Sequence, residues 1–149
     1  MSIDRRLLLL GLLGLAPPLA AQVPPDSVVA APDSTAAPAT PVALFTAAQA
    51  RRGQSIYQKN CIECHDAGSY TGAVFRRVWV GKSPYDLWEL IRTTMPEDFP
   101  GQLKVEEYAD IVAYMLRMNG YPSGDTELPA EAEKLQQLRI DPLPRPGAP

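Results

Sequence analysis

Residues 46–65 read TAAQARRGQSIYQKNCIECH, and this stretch decides what the chain can fold into. Thr46 is followed three residues later by Gln49, a capping-box spacing, so a helix is expected to start here. Ala50, Gly53 and Tyr57 recur at three- and four-residue intervals and share one face of that helix. A glycine inside a helix costs about 1 kcal/mol relative to alanine. Its position under Tyr57 therefore points to a close helix crossing that leaves no room for a side chain. The helix runs directly into Cys61-Ile62-Glu63-Cys64-His65.

Cys-x-x-Cys-His is the attachment pattern of c-type haem. Two thiols three positions apart on a helical turn, here Cys61 and Cys64, can each add to one porphyrin vinyl group. The adjacent His65 can then offer its imidazole to the iron as an axial ligand. Other readings of the pair explain less. A structural zinc site needs four ligands, and the chain holds 2 Cys and 1 His. A thioredoxin-like pair calls for a strand–helix–strand setting, and no strand pattern surrounds Cys61. A structural disulfide leaves the position of His65 unexplained. The expected cofactor is thus haem c, one per chain and covalently bound.

A second axial ligand has to come from a residue type other than histidine, and thioether sulfur suits haem iron. Met1 belongs to the N-terminal leader, while Met115 and Met118 fall on a helical stripe where methionine ordinarily fills space. Met95 lies in the loop Thr93-Thr94-Met95-Pro96, one helix and two connections beyond His65, with Pro96 restricting the backbone beside it. Met95 is the expected ligand, the competing reading being a loop methionine packed on the haem edge.

Working outward, Ser83-Pro84 reads as an N-cap followed by proline at the first helical position, with Asp86 in the first turn. Leu87, Trp88, Leu90 and Ile91 give this second helix an apolar face, and it must end before Pro96. The third, VEEYADIVAYMLRM from Val105, carries Tyr108, Ile111, Val112, Met115 and Leu116 as an apolar stripe and stops at Asn119-Gly120. A further short helix fits Ala130–Leu138. The connections 66–82 and 92–104 read as long loops, which a small domain keeps when they wrap a ligand. The expected architecture is all-α, with three main helices and long loops around one haem.

The N-terminal segment 1–21 has the parts of a secretory signal: Arg5 and Arg6, an apolar run from Leu7 to Ala16, and small residues at Ala20 and Ala21. That run is about half the ~20 residues needed to span a bilayer. Residues 22–45, rich in Pro, Ala, Ser, Thr and Val, read as a disordered tether. The compact domain is expected at 46–121, with 122–149 a proline-rich tail. Export to the periplasm is expected, with membrane association only through partners or an uncleaved leader. The net charge of −3 and the lack of a basic stripe argue against a nucleic-acid partner.

The chain resembles class I cytochromes c over about residues 46–140. The resemblance is carried by Gly53-x-x-x-Tyr57, Cys61-x-x-Cys64-His65, Thr94-Met95-Pro96 and YADIVAYML on the third helix. It implies that the first and third helices cross near Gly53 and an aromatic residue, Tyr108 or Tyr114. FRRVWVGKSPYDLWELIRTTMPEDFPGQL and DIVAYMLRMNGYPSGDTELP are similar to cytochromes that accompany quinoprotein dehydrogenases, including pyrroloquinoline quinone enzymes. That likeness implies a dehydrogenase as electron donor, an oxidase or another cytochrome as acceptor, and a wrapped tail. One departure stands out. Many class I cytochromes place Gly-Pro after the haem motif and use the proline carbonyl to hold the proximal histidine, whereas residues 67–73 here read AGSYTGA. Some other carbonyl of this loop is expected to orient His65.

Trp79 is expected to offer its indole N–H to a haem propionate, with Arg76 and Arg77 as lesser candidates. The bland alternative is a core tryptophan and a solvated basic face. Lys82 with the two arginines could also form a local docking patch. The expected role is an electron carrier and not an enzyme. The rivals are the cytochrome subunit of a stable dehydrogenase or oxidase complex, and an open-site haem enzyme or gas-binding protein.

Overall fold

The computed structural model describes residues 41–144. The leader assigned to 1–21, the tether as far as residue 40, and the last residues of the tail, 145–149, lie outside these. Among the described residues the regular elements are helical: α1 Ala47–Asn60, α2 Gly72–Trp79, α3 Pro84–Thr94, α4 Val105–Met118 and α5 Ala132–Gln136, with a 3-10 turn at Ala67–Tyr70. No strand occurs among them, only an isolated bridge between Thr46 and Gly124. No described helix is long and apolar enough to cross a membrane.

α1 begins where Thr46 Oγ1 accepts the Gln49 N–H at 3.0 Å. Gln49 does not complete a capping box. Its buried side-chain amide instead donates to the Leu128 carbonyl at 2.9 Å and accepts the Leu128 N–H at 2.7 Å, tying the tail to α1. α3 has the full box, Ser83 Oγ accepting from Tyr85 N and Asp86 accepting from Ser83 N, both at 3.0 Å. α4 ends at Asn119, after which Gly120 takes φ +85°, a left-handed conformation that favours glycine.

α1 packs across α4 at Gly53. A Cβ built on Gly53 would lie 1.8 Å from the Asp110 carbonyl oxygen, so the two backbones are in direct contact. Of the two candidate aromatics, Tyr114 meets α1, its ring centroid 5.5 Å from that of Tyr57. Tyr108 belongs to a different contact, described below.

The stretch 66–82, expected as a loop, contains both the 3-10 turn and α2. Its helical period is short, and only Phe75 of α2 is fully buried. The compact unit is also longer than 46–121. Leu44 and Phe45, assigned to the tether, are in the core, as are Leu128, Leu135 and Ile140 of the tail. Leu44, Phe45, Leu128 and Ile140 stand in stretches with no apolar period, so their burial is not legible in the sequence, whereas Leu135 lies on the expected short helix, observed as α5. The tail is fixed by backbone as well as side chains. Gly81 N donates to Ile140 O at 2.8 Å, Ile140 N to Lys82 O at 2.9 Å, and Ser83 Oγ to Leu135 O at 2.6 Å. Arg52 clamps the same side, donating to both Asp110 oxygens and both Glu127 oxygens.

Gly53→Ala should cost about 3 kcal/mol or more, since the added methyl meets backbone and forces the helices apart. The midpoint of denaturant unfolding measures this. Tyr121, whose hydroxyl donates to Asp141 O at 2.7 Å, is pushed up from the ordinary phenol value of 10.0, chiefly by burial and then by the Asp141 charge, with Arg76 opposing. A raised phenol contributes stability that is complete below its unfolded value and lost as pH rises through the folded one. Stability should therefore fall above pH 10, and Tyr121→Phe should lessen that fall when unfolding is compared across this range.

Candidate functional site

Cys61 and Cys64 follow α1 on a turn that continues its hydrogen bonding, Cys61 N to Tyr57 O at 2.9 Å and His65 N to Cys61 O at 2.9 Å. The turn opens onto a cavity of about 730 Å³, within the size range of small-molecule and cofactor sites. Both free thiols, His65, Trp79 and Met95 line it. Its apolar wall comes from α2 (Val74, Val78), α3 (Leu87, Leu90, Ile91) and α4 (Ile111, Met115).

Three of these wall residues are unusually open for aliphatic side chains: Val74 is 47% exposed, Val78 38% and Leu90 49%. They face one concavity, so a single large apolar body would cover all three. A porphyrin meets that demand, and two thiols, an imidazole and a thioether are a donor set that fits haem iron and its vinyl groups. The residues present therefore fit haem. Burial pushes the Cys61 thiol up from its ordinary value.

His65 is held at three points. Its N–H is in the turn, its carbonyl accepts from the Tyr57 hydroxyl at 3.0 Å, and its Nδ1 lies 2.6 Å from the Tyr70 hydroxyl. The expected carbonyl partner is thus replaced by a phenol. The Tyr70 ring stands edge-on to the imidazole, 76° between planes. The reason lies in the 3-10 turn, which brings residue 70 back over residue 65. Asn119 holds that turn in place: its Nδ2 donates to Tyr70 O at 3.0 Å and to Met115 O at 2.9 Å, and its Oδ1 accepts Gly72 N at 2.9 Å. Burial is the main cause that raises the Tyr70 phenol and pushes that of Tyr57 up to about 12.

Met95 caps the C-terminus of α3, with its N–H bonded to Ile91 O at 2.8 Å. Its carbonyl accepts from the fully buried Tyr108 hydroxyl at 3.1 Å, which ties the Met95 loop to α4. Met115 is a buried part of the cavity wall, and Met118 packs against the core without lining the cavity. Trp79, at the end of α2, borders the cavity with the Lys82 ammonium 5.1 Å from its ring centroid. Arg76 and Arg77 are exposed and do not line the cavity.

Residues 48–115, just under half of the chain, match the family model described as Cytochrome C oxidase, cbb3-type, subunit III. The matched span contains both thiols, His65 and Met95. No curated protein and no solved structure matches the chain. The described elements are helical, as in the all-α cytochrome c fold, and the family match supports a c-type cytochrome, a haem-based electron carrier.

The hydrogen bonds by which Tyr57, Tyr70, Tyr108 and Asn119 hold the site are what the sequence did not reveal. Asn119 reads as a helix stop, and nothing local tells which of its neighbours a terminal amide will bind. Asn119→Ala should remove the acceptor of the Gly72 amide and speed its hydrogen exchange at least tenfold, a loss of about 1.4 kcal/mol in local protection. The Gly81 and Ile140 amides should be unchanged in the same experiment.

Proposed function

We propose that the chain is an exported, periplasmic c-type cytochrome carrying one haem and transferring one electron at a time. The observation that supports this most directly is the convergence of Cys61, Cys64, His65 and Met95 on one apolar cavity. In this reading Cys61 and Cys64 would hold the haem through two thioethers, and His65 and Met95 would be its iron ligands. Haem held there supplies a reversible one-electron iron couple. Were His65 and Met95 both to bind the iron, they would leave no coordination site for a substrate. That would restrict the protein to electron transfer. Val74, Val78 and Leu90 exclude water from the ring, and the Trp79 indole N–H is a donor for a propionate.

The donor we favour is a quinoprotein-type dehydrogenase, on the likeness of residues 75–103 and 110–129 to cytochromes of that setting. The acceptor is an oxidase or another cytochrome. The leader read in residues 1–21 supports the periplasmic assignment. A second reading, a subunit of a stable complex, is favoured by the match to a family described as an oxidase subunit. Copurification from native membranes separates a free carrier from a subunit.

Expressed with haem-attachment machinery, the chain should gain the mass of one haem, and Cys61→Ser with Cys64→Ser should return it to the mass of bare polypeptide. The wild-type spectrum should be low-spin in both oxidation states, and Met95→Ala should lose that character. A wild-type product with the mass of bare protein removes the proposal. Rapid carbon monoxide binding by the reduced wild type would favour an open-site haem protein.

A further inference from the structure

We propose that the Tyr70 hydroxyl is the acceptor for the ring N–H of His65, and that this phenol sets the potential of the iron couple. The inference rests on the haem reading above and goes beyond it by assigning a tuning role to a residue outside the ligand set.

The geometry carries it. Tyr70 Oη is 2.6 Å from His65 Nδ1, which leaves Nε2 as the nitrogen available to the cavity. An imidazole nitrogen bound to a metal carries no proton, so the ring proton sits on Nδ1 and Nδ1 donates. Tyr70 must then accept. It is half-buried, so its own O–H proton can turn to water. The hydrogen bond on the far nitrogen of a ligating histidine controls ligand basicity, and so how strongly the ligand favours the more oxidised metal. A neutral phenol oxygen is a weaker acceptor than a carboxylate or an amide carbonyl. It draws the ring proton less, leaves the imidazole a poorer electron donor, and biases the couple toward the reduced state.

Tyr70 is held where it can do this. Asn119 bonds the Tyr70 carbonyl at 3.0 Å and the Gly72 N–H at 2.9 Å while also bonding the α4 backbone at Met115. The partner of His65 is thereby fixed to α4, which contributes Ile111 and Met115 to the cavity wall. Tyr70 is a positioning residue that acts through His65.

The test uses the haem-loaded protein. Tyr70→Phe should retain the mass of one haem and the low-spin spectrum, yet show a higher midpoint potential. In the reduced state its His65 Nδ1–H proton resonance should move and exchange with solvent at least tenfold faster. Tyr85→Phe, which alters a phenol away from the cavity, serves as control and should leave both readouts unchanged. If Tyr70→Phe does not load haem, site-specific replacement of Tyr70 by 3-fluorotyrosine, which lowers phenol basicity without removing it, should raise the potential by a smaller amount. An unchanged potential with an unchanged Nδ1–H resonance in a loaded variant overturns the inference. Failure of the wild type itself to take up haem would instead overturn the reading on which it rests.

Discussion

The backbone contact between α1 and α4 at Gly53 is the constraint from which the rest of the molecule follows. With the Asp110 carbonyl where a Cβ would otherwise stand, the helices approach more closely than any side chain would permit. Tyr57 then reaches Tyr114 on one side of the crossing, and Arg52 reaches Asp110 on the other. Because α1 ends at Asn60, its direction across α4 also decides where the Cys61–His65 turn is delivered. A wider crossing would swing that turn away from the wall formed by Ile111 and Met115.

The two halves of the site are fastened to α4 by different chemistry at different ends of that helix. At its N-terminal end, the buried Tyr108 hydroxyl holds the carbonyl of Met95. At its C-terminal end, Asn119 holds Tyr70, and Tyr70 holds His65. Both fastenings act on backbone or on the far ring nitrogen, leaving the Met95 thioether and the imidazole Nε2 unengaged. α4 therefore acts as a ruler between the two residues proposed to bind iron. The imidazole orientation of His65 and the backbone position of Met95 are fixed before any ligand bond forms, which lowers the ordering cost of binding.

The tail completes the core that so short a chain otherwise lacks. Leu128, Leu135 and Ile140 are fully or nearly fully buried, and the backbone pairing of Ile140 with Gly81 and Lys82 closes the connection between α2 and α3. Small domains commonly need an added staple. Here the strap and the Arg52 clamp supply part of it, and the open wall of Val74, Val78 and Leu90 marks where a bound porphyrin would supply the rest.

What the sequence determined by itself is whatever depends on spacing along one chain segment. The helices α1, α3 and α4, the Ser83 cap, the Asn119-Gly120 stop and the Cys-x-x-Cys-His spacing of Cys61, Cys64 and His65 all follow from local periods and fixed offsets. Met95 differs from the helical methionines by its place in a loop beside proline, and the structure puts it on the cavity wall. The tertiary structure alone decided the partners. Gln49 chose Leu128 over its own cap, Tyr114 took the α1 contact while Tyr108 took Met95, the supposed tether residue Phe45 entered the core, and His65 received a phenol where a carbonyl was expected. Hydrogen bonds and packing between residues far apart in the chain, or across an unanticipated turn, depend on distance in space, and no period in the sequence encodes it.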